Sequence, residues 1–333
     1  MSLADAVLAP ADSARSTVLR LASPWLRPLY ADRQRRVWWL GVVSIVSAFA
    51  VTGLVPLWSL ALGPVVLGVP HLVSDVRYLV VRPGLHRRAL FVVLVGAPLL
   101  ATSLGAPPAI GVLAMLPAVL VTSAFRFSWR LGLALFTWAA LSWLAWVAPY
   151  EFQLGFVHGH NLVAIALWWS LSSRTPSMAW IPGLTLVGAL AIMAGALDPL
   201  VTLAGGWSAP WTGTSFTEFV ETTTPAIDPT LAARLVLSFC FLQSIHYAVW
   251  LRLVPDDERV RPAPRTFRAS WASLVDDFGI APLLVLTALC LGVAAWGAVS
   301  LPEARLGYLQ LAAFHGYLEL AIAARWFAHG RAA

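Results

Sequence analysis

The sequence predicts an all-α fold: a polytopic integral membrane helical bundle of about ten transmembrane helices, with both termini cytoplasmic. Three observations predict it. Of the 333 residues, 59% are hydrophobic and only 11% charged, where a soluble domain carries about a quarter charged residues. Apolar runs of roughly 20 residues, each long enough to cross a bilayer, recur from Val37 to the C-terminus. The segments between those runs alternate in charge. Long apolar runs without strict alternation select helices over a closed barrel, the other structure that satisfies its backbone inside lipid.

Residues 1–36 precede the first span. From Ala14 to Tyr30 the apolar Val18, Leu19, Leu21, Trp25 and Leu26 mix with Arg15, Arg20 and Arg27, which predicts a basic amphipathic segment lying on the cytoplasmic membrane surface. The arginines interrupt the apolar stretch, so it lacks the layout of a cleaved signal. Residues 37–333 form the transmembrane domain. Its candidate spans are 37–61, 64–81, 89–105, 107–125, 131–149, 152–172, 179–200, 231–253, 277–299 and 305–326.

The spans are ordered by what flanks them. Arg33, Arg35 and Arg36 precede the first; Arg82, Arg87 and Arg88 separate the second from the third; Arg126 and Arg130 separate the fourth from the fifth; Arg174 follows the sixth. The inner loop 254–274 carries Arg259, Arg261, Arg265 and Arg268, and Arg331 follows the tenth span. The opposite side holds Glu151, Asp198, Glu218, Glu221, Asp228 and Glu303, with only Arg234 and Arg305 as positive charges, and an outer loop over 201–230. This asymmetry places the arginine side in the cytoplasm of a multi-pass inner-membrane protein. The chain has no lysine, and its net charge of +6 is therefore a topology signal carried by arginine, not a nucleic-acid footprint. Several tryptophans near span ends (Trp38, Trp39, Trp58, Trp129, Trp180) suit an interfacial belt, and Cys240 and Cys290, inside apolar runs, read as small hydrophobes.

Four even-numbered spans, all running from outside to inside, carry histidine: His71, the pair His158 and His160, His246, and His315. Ionisable groups are costly in hydrocarbon, so such a set is a functional-site hypothesis. Counting to Arg82, Arg174 (from His160), Arg252 and Arg325 gives 11, 14, 6 and 10 residues. At ~1.5 Å per residue the depths differ by about 12 Å at most, so the rings can meet near the bilayer middle. Asp75 lies four residues after His71 and Glu319 four after His315, on the same helix faces. Each carboxylate is a candidate oxygen ligand or an orienting partner for an imidazole N–H. His158 and His160 are about 200° apart on a helix; His160 is favoured by depth and by its neighbour Asn161. Gln243 and Tyr247 are candidate site-lining groups, and His86 and His329 read as solvated.

Imidazole with carboxylate and no thiolate suits Fe, Zn, Cu or Ni. A non-haem Fe(II) with open positions would bind O2 and attack an alkene or C–H bond of a lipophilic small molecule drawn from membrane lipid. Two alternatives stay open. Haem b needs histidines on facing helices at matched depth and would pass electrons from quinol. A transporter would use Asp75, Arg77 and Glu319 as a proton or ion relay.

The stretch Gly68-Val69-Pro70-His71-Leu72-Val73-Ser74-Asp75 resembles the G-x-P-H-x-x-x-D signature of the Brp/Blh β-carotene dioxygenases. The resemblance covers these eight residues. It implies a multi-span membrane protein with histidine-bound iron that cleaves the central double bond of β-carotene with O2 to give retinal, and it carries over His71 and Asp75. Leu72 stands where the family has glycine, and the paired histidines of the family's later helices are not found.

Overall fold

The structure, a computed structural model, describes residues 3–21, 32–121, 127–171, 176–204, 215–224, 227–259 and 263–330. Among the described residues it is all helix and contains no strand. In chain order the helices are α1 (Leu3–Leu21), α2 (Arg33–Leu54), α3 (Pro56–Val81), α4 (Ala89–Ser103), α5 (Pro108–Leu120), α6 (Trp129–Val147) and α7 (Pro149–Leu171). They continue as α8 (Trp180–Met193), α9 (Asp198–Ala204), α10 (Phe216–Thr223), α11 (Pro229–Asp257), α12 (Phe267–Phe278), α13 (Ile280–Val299) and α14 (Leu301–His329).

Local chemistry sets the boundaries. The Asp32 carboxylate accepts from the amides of Gln34 and Arg35 and so starts α2, while Ser128, Asp228 and Thr266 cap α6, α11 and α12 in the same way. Proline occupies the first turn of α3, α5, α11 and α14, where its missing N–H costs nothing. Pro56 also corrects the expected 37–61 span. Its ring cannot continue a helix, so α2 ends at Leu54 and α3 begins one residue after Val55 rather than at residue 64.

Each of the ten expected segments coincides with a helix or, for 179–200, with the bent pair α8–α9. Five helices (α2, α3, α6, α11 and α13) are long and apolar enough to cross a membrane, six if the pair bent by 69° is one span. Helices α4 and α5 are apolar but shorter. Helices α7 and α14, at 23 and 29 residues, are long enough but not apolar enough. The reason is visible in their sequences: α7 carries Glu151, Gln153, His158, His160 and Asn161, and α14 carries Glu303, Arg305, Gln310, His315, Glu319 and Arg325. Site residues contribute to that polarity, although α3, which carries His71 and Asp75, is still apolar enough to cross a membrane.

The arginine-rich ends of the helices gather together. Arg36 at the start of α2 makes a buried pair with Asp256 near the end of α11, at 2.6 Å. The Trp168 indole near the end of α7 donates to Asp257 at 2.7 Å, and Arg77 and Arg82 of α3 both reach Asp277 of α12, at 2.6 and 3.2 Å. Helix α1 docks on α12 at this end: the buried Asp12 carboxylate accepts from the Phe267 amide at 2.6 Å and from the Arg268 guanidinium at 3.1 Å. The rest of the expected surface segment, residues 22–30, lies outside the described residues, as do Arg126, Arg174, Arg261, Arg331 and parts of the 201–230 and 254–274 loops. His86 is exposed as expected; His329 is instead half-buried, with Nε2 2.8 Å from the Val119 carbonyl oxygen.

Four helices enclose the interior. Helix α3 packs on α11 and α14, and α7 packs on the same two, so α3, α14, α7 and α11 form a closed ring. Helix α14 is the hub and also touches α4, α5, α6 and α13.

Candidate metal centre

The closed ring of helices carries one histidine inward from each member. The imidazoles of His71 (α3), His160 (α7), His246 (α11) and His315 (α14) form a quadrilateral. Its ring centroids are 5.3 Å apart for His71–His246, 5.0 Å for His71–His315, 5.3 Å for His160–His246 and 5.2 Å for His160–His315. One diagonal, His246–His315, is 5.6 Å. The rings meet edge to face, as imidazoles do when their nitrogens turn toward one point. His71 and His246 are each 1% exposed.

A second layer lies four residues further along three of these helices. Asp75 follows His71, Trp250 follows His246 and Glu319 follows His315. The Trp250 indole donates to Glu319 Oε1 at 2.6 Å, and the Ser74 hydroxyl donates to the Trp250 carbonyl at 2.5 Å. Two layers in the same order on three helices require those helices to run parallel, as expected from the alternating loops. A π-helical turn follows the site residue on two of them, Arg77–Val81 in α3 and Val249–Leu253 in α11. Such turns insert one residue into a helix and cluster at functional sites; here the α11 turn includes the Trp250 that holds Glu319.

Hydrogen bonds fix the tautomers of two rings. Carbonyl oxygen only accepts, so His160 Nδ1, 3.2 Å from the Phe156 oxygen, and His315 Nδ1, 2.5 Å from the Ala312 oxygen, carry the proton. Each ring then presents a bare Nε2. A metal-ligating histidine characteristically donates its other N–H to such an acceptor. His71 Nδ1 lies 3.4 Å from the Tyr308 hydroxyl. His158 does not join the cluster. Its Nδ1 is 2.9 Å from the Leu154 oxygen, its Nε2 is 3.0 Å from the Leu235 oxygen, and its ring packs on Phe239. The helix turn between positions 158 and 160 sends the two rings to different sides, so the reading of His158 as a ligand gives way to His160.

The remaining polar atoms of the cluster have no protein partner. Six buried atoms are orphaned: His71 Nε2, both His246 nitrogens, both Asp75 oxygens and Glu319 Oε2. His246 Nε2 is 3.7 Å from Glu319 Oε1. Leaving a buried polar atom unsatisfied costs about 1–3 kcal/mol. Asp75 and Glu319 are both fully buried, and no arginine pairs with either among the described residues. Arg77, two residues after Asp75, turns instead to Asp277 and Ser273. Two carboxylates in a low-dielectric interior require a counter-charge or protons. A divalent cation would supply both the charge and the missing ligand contacts.

The ligand geometry fits one ion. One atom from each of His71, Asp75, His246 and His315 can be chosen so that all lie within 4.8 Å of one another. Ligands held about 2.0–2.2 Å from a common ion lie roughly 3–4 Å apart, so the set closes on an ion with side-chain movements of under about 1 Å. His160 lies outside this set of four but beside it, its ring centroid 5.3 Å from that of His246 and 5.2 Å from that of His315.

The four imidazoles face a cavity of about 1000 Å³, walled by Leu57, Phe156, Val157, Phe239, Leu309 and Ala312. Gln243 and Tyr247 line it as expected, with the Gln243 amide donating to the Tyr247 hydroxyl at 2.7 Å and the Tyr247 ring 4.6 Å from that of His71. Sequence reasoning missed Trp250 and Tyr308. The signal for Trp250 was present, since it repeats the four-residue offset of Asp75 and Glu319, and Tyr308 lies two turns before His315 on the same face. Comparison with protein-family profiles, curated proteins and solved structures finds no match to this chain.

Proposed function

We propose that this chain is a multi-pass membrane metalloenzyme whose histidine and carboxylate cluster holds a single non-haem Fe(II), and which oxidises a lipophilic isoprenoid or lipid with O2. The observation that carries this reading is the convergence of four imidazoles and two unpaired carboxylates in the core of the helix ring. A metal site in a helical bundle is built in this way, from side chains on facing helices. His71, His160, His246 and His315 would hold the ion. Asp75 would complete its shell or neutralise it, and Glu319, fixed by Trp250, would orient His246.

The donor set, imidazole nitrogen with carboxylate oxygen and no thiolate, suits iron and also admits zinc or copper. Fe(II) is preferred because the adjoining cavity is large, apolar and lined by aromatic rings, as an oxygenase of a hydrophobic substrate requires. Bound iron supplies the activation of O2. Cleavage of a carbon–carbon double bond places one oxygen atom on each carbon and needs no external reductant. The resemblance of Gly68–Asp75 to the Brp/Blh signature supports cleavage of a carotenoid as the specific reaction. The edge-to-face packing of four rings around one point favours a single ion over haem b, which needs a planar slot between two imidazoles. The pairing of Arg77 with Asp277 leaves the proposed Asp75–Arg77–Glu319 ion relay without its middle member. The same reading takes the ten helical segments as spans and the arginine end as cytoplasmic, in the cell inner membrane.

The test is elemental analysis of the purified protein with its absorption spectrum, followed by expression in carotenoid-producing cells. The reading expects about one iron per chain, no Soret band, and loss of orange colour that His71→Ala prevents. A metal-free or haem-containing protein would overturn it.

A further inference from the structure

The end of the cavity opposite the histidines contains one guanidinium. Arg305 lies ten residues before His315 on α14, about 15 Å away along the helix axis, and lines the same cavity. Its Nε donates to the Leu60 carbonyl at 2.8 Å, and its guanidinium carbon sits 4.7 Å from the centre of the Phe219 ring of α10. Among the described residues its two terminal nitrogens have no acceptor, and no carboxylate lies within ion-pairing distance. Glu218 lines the same mouth, but it serves the capping box of α10, with Oε2 accepting from the Ser215 amide at 3.4 Å.

An arginine held by a backbone carbonyl and an aromatic face, with no counter-ion, is placed to receive a planar or tetrahedral anion through its free edge. Between Arg305 and His315, helix α14 presents Leu309 and Ala312 to the cavity together with Tyr308 and Gln310. The cavity therefore has two chemically different ends, one a guanidinium and the other the imidazole cluster, with leucine and alanine side chains of α14 between them. An unfunctionalised hydrocarbon would leave the guanidinium unpaired; an amphiphile would pair it.

We propose that this cavity takes an amphiphilic substrate, with Arg305 holding an anionic head, a carboxylate or a phosphate monoester, while the lipophilic chain runs along α14 to the histidine cluster. The proposal rests on the metalloenzyme reading only for the chemistry at the far end. It gives the lipophilic isoprenoid or lipid chain of that reading an acidic terminus, and so departs from the unfunctionalised β-carotene that the Brp/Blh resemblance implies.

The experiment uses the full-length protein in neutral phosphatidylcholine nanodiscs. Binding of cis-parinaric acid and of its methyl ester is followed by fluorescence, with farnesyl monophosphate and palmitate as competitors. The acid should bind at least about ten-fold more tightly than the ester, the factor expected for one buried charge-assisted hydrogen bond. Arg305→Gln should abolish that preference and leave ester binding and metal content at wild-type levels, while Arg305→Lys should keep part of it. The stronger competitor identifies the head as phosphate or carboxylate. Equal binding of acid and ester by the wild type, or a preference that survives in Arg305→Gln, would overturn the proposal. Metal content separates the two readings: an Arg305-dependent preference in a protein that binds no metal supports the head site and removes the metal centre, and a metal-loaded protein without the preference does the reverse.

Discussion

The Trp250 indole donates a 2.6 Å hydrogen bond to Oε1 of Glu319, joining two helices one turn beyond the histidines that each carries. Glu319 Oε1 also lies 3.7 Å from His246 Nε2. The indole thus fixes the carboxylate that faces the imidazole, and Trp250 lies within the π turn Val249–Leu253 of α11. Trp250→Phe keeps the ring and removes the donor. Loss of such an outer partner typically costs 10–100-fold in metal affinity. Competition of the purified variant with a graded series of chelators should show a weakening in that range, with the thermal midpoint of the metal-stripped protein little changed. Unaltered affinity would mean that Glu319 plays no part in holding the ion.

His160 and His158 are two residues apart and fully distinguishable by experiment. His160 presents Nε2 to the cluster, whereas both nitrogens of His158 face main-chain carbonyls. His160→Ala should release the metal or leave it substoichiometric. His158→Ala should retain about one equivalent, with a stability loss of about 1 kcal/mol for one imidazole hydrogen bond, since the Leu154 and Leu235 carbonyls lie within helices and keep their backbone donors. Metal-to-protein ratios after dialysis decide the matter, and a reversed pattern would exchange the roles assigned to the two residues.

Much of this arrangement was legible in the sequence because a membrane interior makes each polar residue informative. His71, His246 and His315 stood out because ionisable residues are rare in the middle of an apolar run, and Asp75 and Glu319 follow two of them by one turn. The charge alternation ordered the helices, and the order predicted the parallel directions that the two site layers require. What escaped was whatever depends on local helix irregularity. No residue pattern announced the π turns, and although the four-residue offset of Trp250 from His246 was readable, its bond to Glu319 depends on how α11 and α14 pack. The choice between His158 and His160 turns on which main-chain carbonyls lie nearby, and that is settled only by packing. The same is true of Arg77: Asp75 is close in sequence, but Asp277 and Ser273 of α12 are the partners it reaches.

Asp12 links α1 to α12 through a charge. Burial acts to raise its pKa, but hydrogen bonds from the Phe267 and Arg268 amides and from the Arg268 guanidinium outweigh it, and the carboxyl lies below its ordinary range. A depressed folded pKa means that the docking is fully stabilised above the unfolded value of about 3.9 and is lost as pH falls through the lower folded value. Hydrogen exchange of α1 should therefore be constant from neutral pH down to about pH 4–5 and accelerate, beyond its intrinsic pH dependence, in stronger acid. Asp12→Asn should show the faster exchange at every pH. Protection of α1 that ignores this substitution would show that apolar contacts alone hold the helix down.

Gly68, the first residue of the stretch around His71, has a packing reason visible in the structure. A Cβ at this position would collide with the Tyr308 ring. The absence of a side chain lets that ring lie flat against α3 with its hydroxyl 3.4 Å from His71 Nδ1. Gly68→Ala should gain up to about 1 kcal/mol of helix propensity but lose about 1–3 kcal/mol to overpacking, because the colliding atoms belong to an aromatic ring and not to the free end of a flexible side chain. Gly96 in α4 supplies the comparison, since a Cβ there meets nothing within 4 Å. Gly96→Ala should leave the thermal midpoint in detergent unchanged or raised, whereas Gly68→Ala should lower it and weaken metal retention through the displaced Tyr308. If the two alanine variants behaved alike, the tyrosine would not be seated against α3, and the contact that orients His71 from the cavity side would have to be sought in Tyr247 instead.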